Sequence, residues 1–572
     1  MKEKELTGYP SIDKPWLKYY TEEAIHAPLP ECSMYEYIWA NNKDHLDDIA
    51  LIYFNKKITY RKMFEMIDKT ASALLSLGIK KGDIVTICSL SIPETVYSAY
   101  AINKIGAIVN FEYVSLSEKD FEKSFLETNS KVVITLPMFA NKIFNASKNT
   151  YIKKIIVTDL AESASGITKA VLKKKSKTDI IQSDKIVQWK DFVSSSNRRV
   201  KPEKSIHAVI LHTGGTTGTP KGVLLENKNL NALALTHGNL GLEYKRMQKI
   251  LHGIPPFHSY GFGIGIHTPL VQGLSIVMCP LPSMDLLTKF YKKLKPELLV
   301  LGVSQMKNIL EYFKANVNKK NNLKLIAVGG ENVPANLEQE AKDFLEHNTN
   351  AKLIVGYGMS ELASAATSNL KYTQKNGSVG VPFVNYNVKI IDENQNELKY
   401  NEIGEICFNT PTMMKEYFNH TEETNSTKKL HSDGKEWIHT GDLGYVDKDG
   451  FIFIKGRIKR IYSYIDQLGN TYKIFPDYIE NTVSNISDVN QCAAGCIKND
   501  KSINLIYCFI SLKNDVSKEE IKKSIKKSLP EYDYPHIIKF VDTIPLNPVG
   551  KVDYIALEKE AEKIYREKNE NV

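Results

Sequence analysis

The sequence has few of the features that mark disulfide-stabilised or secreted proteins. Seven cysteines are scattered over 572 residues, which is too few for a disulfide framework in a chain of this length. Cys492 and Cys496 stand four positions apart, but no second cysteine or histidine pair follows at metal-finger spacing, so both are interpreted as buried apolar residues. The charged residues 1–5 lead into no apolar stretch, so no secretory signal is expected.

Long apolar runs and a strong charge bias are also missing. The nearest approach to a membrane span, residues 261–282, is interrupted by His267, Pro269, Gln272 and several glycines, which favours a core segment. The 75 basic residues nearly balance 66 acidic ones, and the net charge of +9 is weak evidence for a nucleic-acid partner. It is compatible with small anionic substrates or an anionic membrane surface. These observations predict a soluble, cytoplasmic protein with no nucleic-acid partner and no transmembrane segment.

What the sequence does contain is an alternation of strand and helix patterns, along a chain too long for one core. Apolar strands at 84–88 and 131–135 alternate with helical patterns at 93–105 and 117–127. Such alternation predicts βαβ units and a parallel sheet covered by helices. The lysine-rich segment 161–200 is interpreted as a surface excursion with one short helix.

From about residue 380 the pattern changes to short alternating strands, which predict a β-rich, barrel-like module. The overall prediction is an α/β protein with two domains. The large N-terminal domain, 1–457, combines parallel helix-covered sheets with this module, and a smaller α/β domain covers 458–572. Within the smaller domain, Ser517 with Glu520 three residues later predicts a capping box at a helix start.

One loop has the composition of a polyphosphate cradle. It occupies 211–222, reads LHTGGTTGTPKG, and follows a short apolar strand. Glycines let backbone N–H groups approach a phosphate, while threonine hydroxyls and a lysine add donors and positive charge. The Walker pattern is excluded, because Pro220 and Gly222 flank Lys221 where that pattern needs glycine and Ser/Thr. A Ser/Thr/Gly turn without a ligand is the alternative. The candidate binding residues are Thr213, Gly214, Gly215, Thr216, Thr217, Gly218 and Lys221.

This loop resembles the signature of the adenylate-forming superfamily, which includes acyl-CoA synthetases, coumarate-CoA ligases, firefly luciferase and peptide-synthetase adenylation domains. Further motifs of that superfamily follow in its order over most of the chain. The resemblance implies ATP, Mg²⁺ and CoA as cofactors and substrates. It also implies that the small C-terminal domain rotates about a hinge at Lys459 between two half-reactions.

Three segments resemble the nucleotide-binding motifs of that superfamily. In Gly356-Tyr357-Gly358-Met359-Ser360-Glu361, the resemblance implies adenine stacking by the tyrosine, an α-phosphate contact from the serine and Mg²⁺ binding by the glutamate. These residue types suit a base, a phosphate and a hard cation. Gly330 and Glu331 belong to the adenine-edge segment, at the end of an apolar strand. Asp442 resembles the residue that contacts the ribose, for whose hydroxyls a carboxylate is a good acceptor, and Arg457 resembles the arginine that contacts the ribose or phosphate.

Two further segments bear on the acid and on catalysis. His258, in Pro256-Phe257-His258-Ser259-Tyr260, resembles the residue that gates the acyl pocket. No aspartate lies there to pair an α-ammonium, so a plain carboxylic acid is expected. Gly261, Gly263 and Gly265 suggest space for an alkyl or aryl tail. Lys551, in a stiff Pro- and Gly-rich loop, matches the catalytic lysine of the resembling family.

The sequence therefore predicts an acid–thiol ligase that forms acyl-AMP and then an acyl-CoA, with Lys551, Glu361 and His258 as catalytic residues. Delivery of the acyl group to a carrier-protein thiol is an alternative, because the segment after Arg457 is longer than in the family and offers only Gly469 for the pantetheine path. A non-catalytic nucleotide-binding or scaffold protein is the alternative from another class.

Overall fold

The computed structural model describes residues 6–176, 178–195, 198–213, 220–280, 284–316, 322–465, 471–499, 503–514, 516–547 and 551–570. Within these residues no helix is both long and apolar enough to cross a bilayer.

The α-helices of the described residues, in chain order, are α1 Pro10–Asp13, α2 Glu22–Ile25, α3 Met34–Asn42, α4 Tyr60–Ser76, α5 Pro93–Lys104, α6 Glu118–Thr128, α7 Pro137–Ala146, α8 Gly166–Lys175, α9 Trp189–Ser194, α10 Asn227–Gly238, α11 Thr268–Val271, α12 Met284–Leu294, α13 Val303–Lys314, α14 Ala335–Asn348, α15 Thr421–Thr427, α16 Pro476–Ser484, α17 Lys518–Ser528 and α18 Tyr554–Glu570. Short 3₁₀ helices cover Pro15–Tyr19, Ser360–Leu362, Ile458–Arg460 and Glu531–Asp533, and a π-helix covers Tyr260–His267.

The strands are β1 Ile49–Tyr53, β2 Lys56–Thr59, β3 Ile84–Cys88, β4 Ile108–Phe111, β5 Val132–Thr135, β6 Lys154–Val157, β7 Ile186–Gln188, β8 His207–His212, β9 Gly222–Glu226, β10 Lys249–His252, β11 Ser275–Met278, β12 Leu298–Leu301, β13 Leu325–Val328, β14 Lys352–Tyr357, β15 Thr367–Ser368, β16 Val381–Pro382, β17 Asn387–Ile391, β18 Gly404–Asn409, β19 Glu416–Tyr417, β20 Lys428–Leu430, β21 Glu436–Val446, β22 Ile452–Arg457, β23 Tyr462–Ile465, β24 Thr471–Ile474, β25 Val489–Lys498, β26 Asn504–Leu512 and β27 Ile537–Phe540.

Two large sheets form the body of the molecule, and both are parallel in their centres. One has the order β19-β9-β8-β4-β3-β5-β6-β7, and the other the order β16-β15-β14-β13-β12-β10-β11-β1-β2. All five residues of β3 are buried, as expected for a strand covered on both faces. The helix α5 starts with Pro93 and is buried on every side, which explains why its sequence carries little amphipathic pattern. The predicted helix-covered parallel sheets are confirmed.

Two smaller β-rich regions follow these sheets. An antiparallel five-stranded sheet, which we call the β-module, has the order β17-β18-β21-β20, with β22 also paired to β21. Beyond it, β25, β26 and β27 form a three-stranded sheet packed with α16 and α18. Two hydrophobic cores of this last region draw only on residues from Tyr462 onward. The smaller C-terminal α/β region is therefore present as predicted.

The structure corrects two local predictions. Segment 161–200 contributes two helices, α8 and α9, and the edge strand β7, which pairs with β6 in the first sheet. Ser517 does precede α17, but its side chain accepts no capping hydrogen bond, so the capping box is not formed. The apolar stretch from residue 261 is a buried core segment, as predicted, and it begins within a π-helix.

Candidate active site

A cavity of about 790 Å³ lies where the carboxyl ends of both parallel sheets meet. Tyr113 and Thr213 reach it from beyond β4 and β8 of one sheet, and Gly302 and Gly329 from beyond β12 and β13 of the other. Open parallel sheets bind ligands at this edge. The predicted residues that line the cavity are Thr213, Lys221, His258, Gly330, Glu331, Tyr357, Gly358, Ser360, Glu361, Arg457 and Lys551. The predicted residues Gly214, Gly215, Thr216, Thr217 and Gly218 lie outside the described residues.

Asp442 does not line the cavity itself but binds two residues that do. The Tyr357 hydroxyl donates to Asp442 Oδ2 at 2.6 Å, and Arg457 Nε lies 2.9 Å from Oδ1. Only 4% of Asp442 is exposed. Burial raises the pKa of Asp442, and the Arg457 charge opposes that shift. The predicted ribose pair and the predicted adenine-stacking tyrosine therefore form one hydrogen-bonded unit.

The two ends of the phosphate loop are held together. Thr213 N donates to Lys221 O at 2.9 Å, and Lys221 N donates to Thr213 Oγ1 at 3.0 Å. Next to this pair of hydrogen bonds, the Lys221 ammonium lies 4.9 Å from the centre of the Tyr417 ring. The Tyr417 hydroxyl donates to Glu361 Oε1 at 2.5 Å. Tyr417 thus connects the lysine of the loop to the predicted metal-binding carboxylate.

Glu361 has the properties needed for Mg²⁺. It is buried, it lines the cavity, and its Oε1 accepts from the Tyr417 hydroxyl. A hard carboxylate oxygen with a free lone pair at a cavity wall suits a hard cation. Glu361 is therefore the residue that would hold Mg²⁺ here.

Lys551 comes from the C-terminal region and still lines the same cavity. Its loop is closed by two hydrogen bonds with Asn547, from Lys551 N to Asn547 Oδ1 at 3.0 Å and from Asn547 N to Lys551 O at 2.7 Å. Burial and the Arg457 charge lower the pKa of Lys551, while the carboxylates of Glu331, Glu361 and Asp442 oppose the shift. The lysine therefore faces the predicted metal and ribose carboxylates.

His258 lies next to this charged group. Its ring is 5.2 Å from the Tyr113 ring in an edge arrangement. Burial and the nearby Lys551 charge lower the pKa of His258 to about 4, so the imidazole is neutral at pH 7. Ser360 also lies here, with its hydroxyl 3.3 Å from that of Ser259. These neutral groups can donate hydrogen bonds without bringing a further charge.

Several glycines at the cavity are required by close backbone approach. A Cβ on Gly358 would lie 1.7 Å from Ser364 O, and one on Gly261 would lie 2.0 Å from Pro255 O. A Cβ on Gly263 would lie 2.8 Å from the Leu233 side chain, and one on Gly265 would lie 2.8 Å from the His252 ring. The suggestion that glycines 261, 263 and 265 leave room for an acyl tail is therefore wrong. Neighbouring atoms already fill that space.

Sequence reasoning missed Tyr417 and Glu405. Tyr417 lies 56 positions from the carboxylate it binds, and no spacing rule connects the two. Glu405 binds the backbone of Gly441, next to Asp442. A glutamate alternating with apolar residues in a strand gives no sign of such a contact. Both were found only from the fold.

Comparison with known proteins agrees with this geometry. Residues 38–418 match a family model described as AMP-binding enzyme, and residues 478–551 match one described as AMP-binding enzyme C-terminal domain. The chain is 27% identical to a long-chain-fatty-acid–CoA ligase of Bacillus subtilis (strain 168), over 94% of this chain and 96% of that protein. It is 26% identical to a 4-coumarate–CoA ligase of Humulus lupulus, over 86% and 87% of the two chains.

Solved structures resemble the fold over almost the whole chain. A crystal structure of an anthranilate CoA ligase in complex with anthranoyl-AMP has a TM-score of 0.79 at 21% identity, covering 94% of this chain and 98% of that one. An o-succinylbenzoate CoA synthetase of Bacillus subtilis, in complex with ATP and magnesium ion, has a TM-score of 0.72 at 20% identity, covering 90% and 98%.

Proposed function

Since this chain belongs to the family of AMP-binding enzymes, we propose that it is an AMP-forming acid–thiol ligase. It activates a carboxylic acid with ATP and then transfers the acyl group to the thiol of CoA. The observation that carries the proposal is the convergence on one cavity of Lys551, Glu361 and Arg457, the last of which pairs with the buried Asp442. A merely nucleotide-binding protein has no need of the first two.

In the first half-reaction a carboxylate oxygen of the acid attacks the α-phosphorus of ATP. The bond to the β-phosphate bridging oxygen breaks, and pyrophosphate leaves with the electron pair. Lys551 lowers the repulsion between the attacking carboxylate and the phosphate, because its ammonium lies among the groups that line the cavity. Asp442, Tyr357 and Arg457 hold the nucleoside, so that the reacting atoms meet in one orientation. Mg²⁺, when bound at Glu361, neutralises phosphate charge.

In the second half-reaction the CoA thiol attacks the acyl carbonyl, its proton passes to solvent, and AMP leaves. We propose that residues 458–572 form a mobile domain that turns about Lys459 between the two steps. Polar contacts across the hinge support a separable arrangement. Asp477 Oδ2 accepts from Arg457 N at 3.1 Å, Asn332 Nδ2 donates to Asn481 Oδ1 at 2.6 Å, and Lys307 Nζ donates to Asn490 Oδ1 at 2.6 Å. Polar contacts of this kind break at little cost.

The acid is proposed to carry an uncharged acyl group, fatty or aryl, without an α-amino requirement. Support comes from the apolar residues of the cavity wall, Ile264, Ile354 and Phe383, together with His237. Burial lowers the pKa of His237 to about 4, so that this wall is neutral at pH 7. A buried ammonium or second carboxylate there would lack a partner.

The test is ATP–pyrophosphate exchange over a panel of alkanoic, aryl and amino acids of increasing size. Exchange supported by fatty or aryl acids is expected. Exchange with amino acids alone would contradict the proposed substrate class, and no exchange with any acid would contradict the enzyme assignment.

The acceptor is tested separately. Thioester formation is measured with CoA and with a phosphopantetheinylated acyl-carrier protein, each under single-turnover conditions with preformed acyl-AMP. CoA is the expected acceptor. Transfer to the carrier protein alone would establish the alternative, an acyl-AMP ligase. A cytoplasmic location stays a prediction from the sequence.

A further inference from the structure

A chain of hydrogen bonds leads from the β-module to the ribose-binding turn. Glu405, on β18, accepts a hydrogen bond from Gly441 N at its Oε1, with a distance of 3.0 Å. Its other oxygen, Oε2, lies 2.8 Å from His439 Nδ1. Gly441 has a φ of +69°, a left-handed conformation that favours glycine. Gly441 is the residue of β21 with a positive φ, and it directly precedes Asp442. Glu405 therefore binds the backbone where the strand changes direction.

The next peptide group of this turn is fixed by a second side chain. Thr440 Oγ1 accepts from Asp442 N at 3.1 Å and donates to Ile406 O at 2.8 Å. Consecutive backbone N–H groups, at Gly441 and Asp442, are thus both bound by side chains and oriented by β18. The register of β18 against β21 also shifts between Glu405 and Cys407, which bends the pair at this point.

His431 completes the chain. Its Nε2 lies 2.9 Å from His439 Nε2. Burial, with the charge of Lys389, lowers the pKa of His431 to about 4, so this ring is neutral. An ionised Glu405 only accepts, so His439 donates to it from Nδ1. Although burial opposes it, the His439 hydrogen bond holds the pKa of Glu405 below its usual range.

Glu405, Cys407 and His439 carry side-chain atoms that could bind a metal ion, but their existing hydrogen bonds argue against a metal site. Oxygen, sulfur and nitrogen atoms of Glu405, Cys407 and His439 lie within 4.8 Å of one another. However, both Glu405 oxygens and both His439 nitrogens already have hydrogen-bond partners. A cation would have to displace these bonds. The cluster is better explained as a support for the turn.

We infer that Glu405 and His439 are positioning residues for ribose recognition, acting through the Gly441 turn on Asp442. The inference rests on the proposed function, in which Asp442 accepts hydrogen bonds from the ribose hydroxyls. Asp442 is already engaged by Tyr357 and Arg457. The carboxylate of Asp442 can accept further hydrogen bonds from a ligand only if its backbone has a fixed position, because small misplacements of a binding group have large effects on rate.

The test compares ATP with 2′-deoxy-ATP in pyrophosphate exchange, using an acid that the wild type accepts. Glu405→Ala removes both hydrogen bonds and should lower kcat/KM for ATP about tenfold. The loss with 2′-deoxy-ATP should be smaller, so that the preference for the ribose hydroxyl falls toward one. Glu405→Gln keeps an amide oxygen for Gly441 N and should retain most of the preference.

Two reference variants make the outcome decisive. Asp442→Asn should itself reduce the preference for ATP over 2′-deoxy-ATP. Asp392→Ala removes another contact of the β-module, to the backbone N–H groups of Asn394 and Asn396 beyond β17, and should leave the preference unchanged. Thermal unfolding of every variant identifies those that are merely less stable.

Each remaining result would overturn the inference in a distinct way. Equal losses with both nucleotides in Glu405→Ala and Glu405→Gln, while Asp442→Asn does reduce the preference, would show that Glu405 is only structural. An unchanged preference in Asp442→Asn would remove the ribose role of Asp442 itself. In that case the proposed nucleotide contact fails first, and the positioning role fails with it.

Discussion

The proposed nucleoside end and the proposed acyl end of the cavity are built in opposite ways. At the proposed nucleoside end, Asp442 is buried and contacts Tyr357 and Arg457, and Glu405 binds the neighbouring Gly441 N. At the proposed acyl end the wall is formed by apolar residues and the neutral His237. A densely hydrogen-bonded end accepts one ligand shape, whereas an apolar wall distinguishes acids mainly by size. On the proposed function, the first end determines the chemistry and the second determines which acid undergoes it.

The largest effect is expected from removing the positive charge of Lys551 from the cavity. Lys551→Ala should slow ATP-dependent acyl-AMP formation by about 10²–10³, because one preorganised charge is lost where negative charge is crowded. Thioester formation from synthetic acyl-AMP and CoA should continue near the wild-type rate, since AMP is already a good leaving group. Quenched single-turnover assays of each half-reaction measure both rates.

Lys539→Ala is the matched control, because it removes a C-terminal lysine that pairs with Glu560 outside the cavity lining. It should leave both half-reactions unchanged. If both half-reactions fall together in Lys551→Ala, the lysine has a structural role or the domain does not turn.

The next largest effect is expected from a substitution at the proposed hinge, which should slow one half-reaction more than the other. Lys459→Pro fixes φ near −65° and should restrict the turn of residues 458–572. Thioester formation should fall about tenfold more than acyl-AMP formation, a difference of roughly 1.4 kcal/mol in activation free energy. Lys459→Ala keeps φ free and should leave the ratio near that of the wild type. Equal losses in the proline variant would argue against a two-state hinge.

A smaller effect is expected at Tyr357, where two substitutions separate the contribution of the hydroxyl from that of the ring. Tyr357→Phe removes the hydroxyl that donates to Asp442 and should raise the KM for ATP by about tenfold, as expected for a hydrogen bond to a charged group. Tyr357→Ala also removes the ring and should raise KM further. In both, kcat should change less, because uniform binding is lost. An ATP KM that stays at the wild-type value would exclude Tyr357 from this role.

The smallest effect belongs to the acyl end. His237→Leu replaces a neutral wall residue, whose Nδ1 lies 3.1 Å from the Tyr244 hydroxyl, with an apolar one. The ratio of kcat/KM between apolar and hydroxylated acids should rise about fivefold, with the ATP KM unchanged. His347→Leu, on the exposed face of α14, serves as the control. A changed ATP KM would show that the two ends are not independent.

The sequence predicted more residues of the proposed nucleoside end than of the proposed acyl end. Asp442, Arg457 and Glu361 were predicted as binding residues because each lies in a short segment that resembles a family motif and has a residue type that suits one ligand group. The structure places Glu361 and Arg457 in the cavity lining, with Asp442 paired to Arg457. Tyr417 and Glu405 could not be found, because their partners are distant in sequence and adjacent only after strands β18, β19 and β21 are placed. Motif spacing carries local information, and these contacts depend on sheet register.

The acyl end was partly misread for a related reason. Glycine in a sequence shows where a side chain is missing, but not whether a neighbour occupies that space. At Gly261 the neighbour is the carbonyl of Pro255, which passes so close that no side chain fits. The volume of a pocket is a property of tertiary packing. Likewise Ser517 has the right residue type for a cap, yet its side chain makes no such bond.

The position of Lys551 has a consequence for synthesis of the protein. Arg457 and the nucleoside-binding residues leave the ribosome before Lys551 does, by on the order of 10 s at elongation rates of roughly 5–20 residues per second. During that interval the nascent chain carries its proposed nucleotide contacts without the lysine that lines the same cavity. On the proposed function, a translation product that stops before residue 551 would bind nucleotide without turning it over.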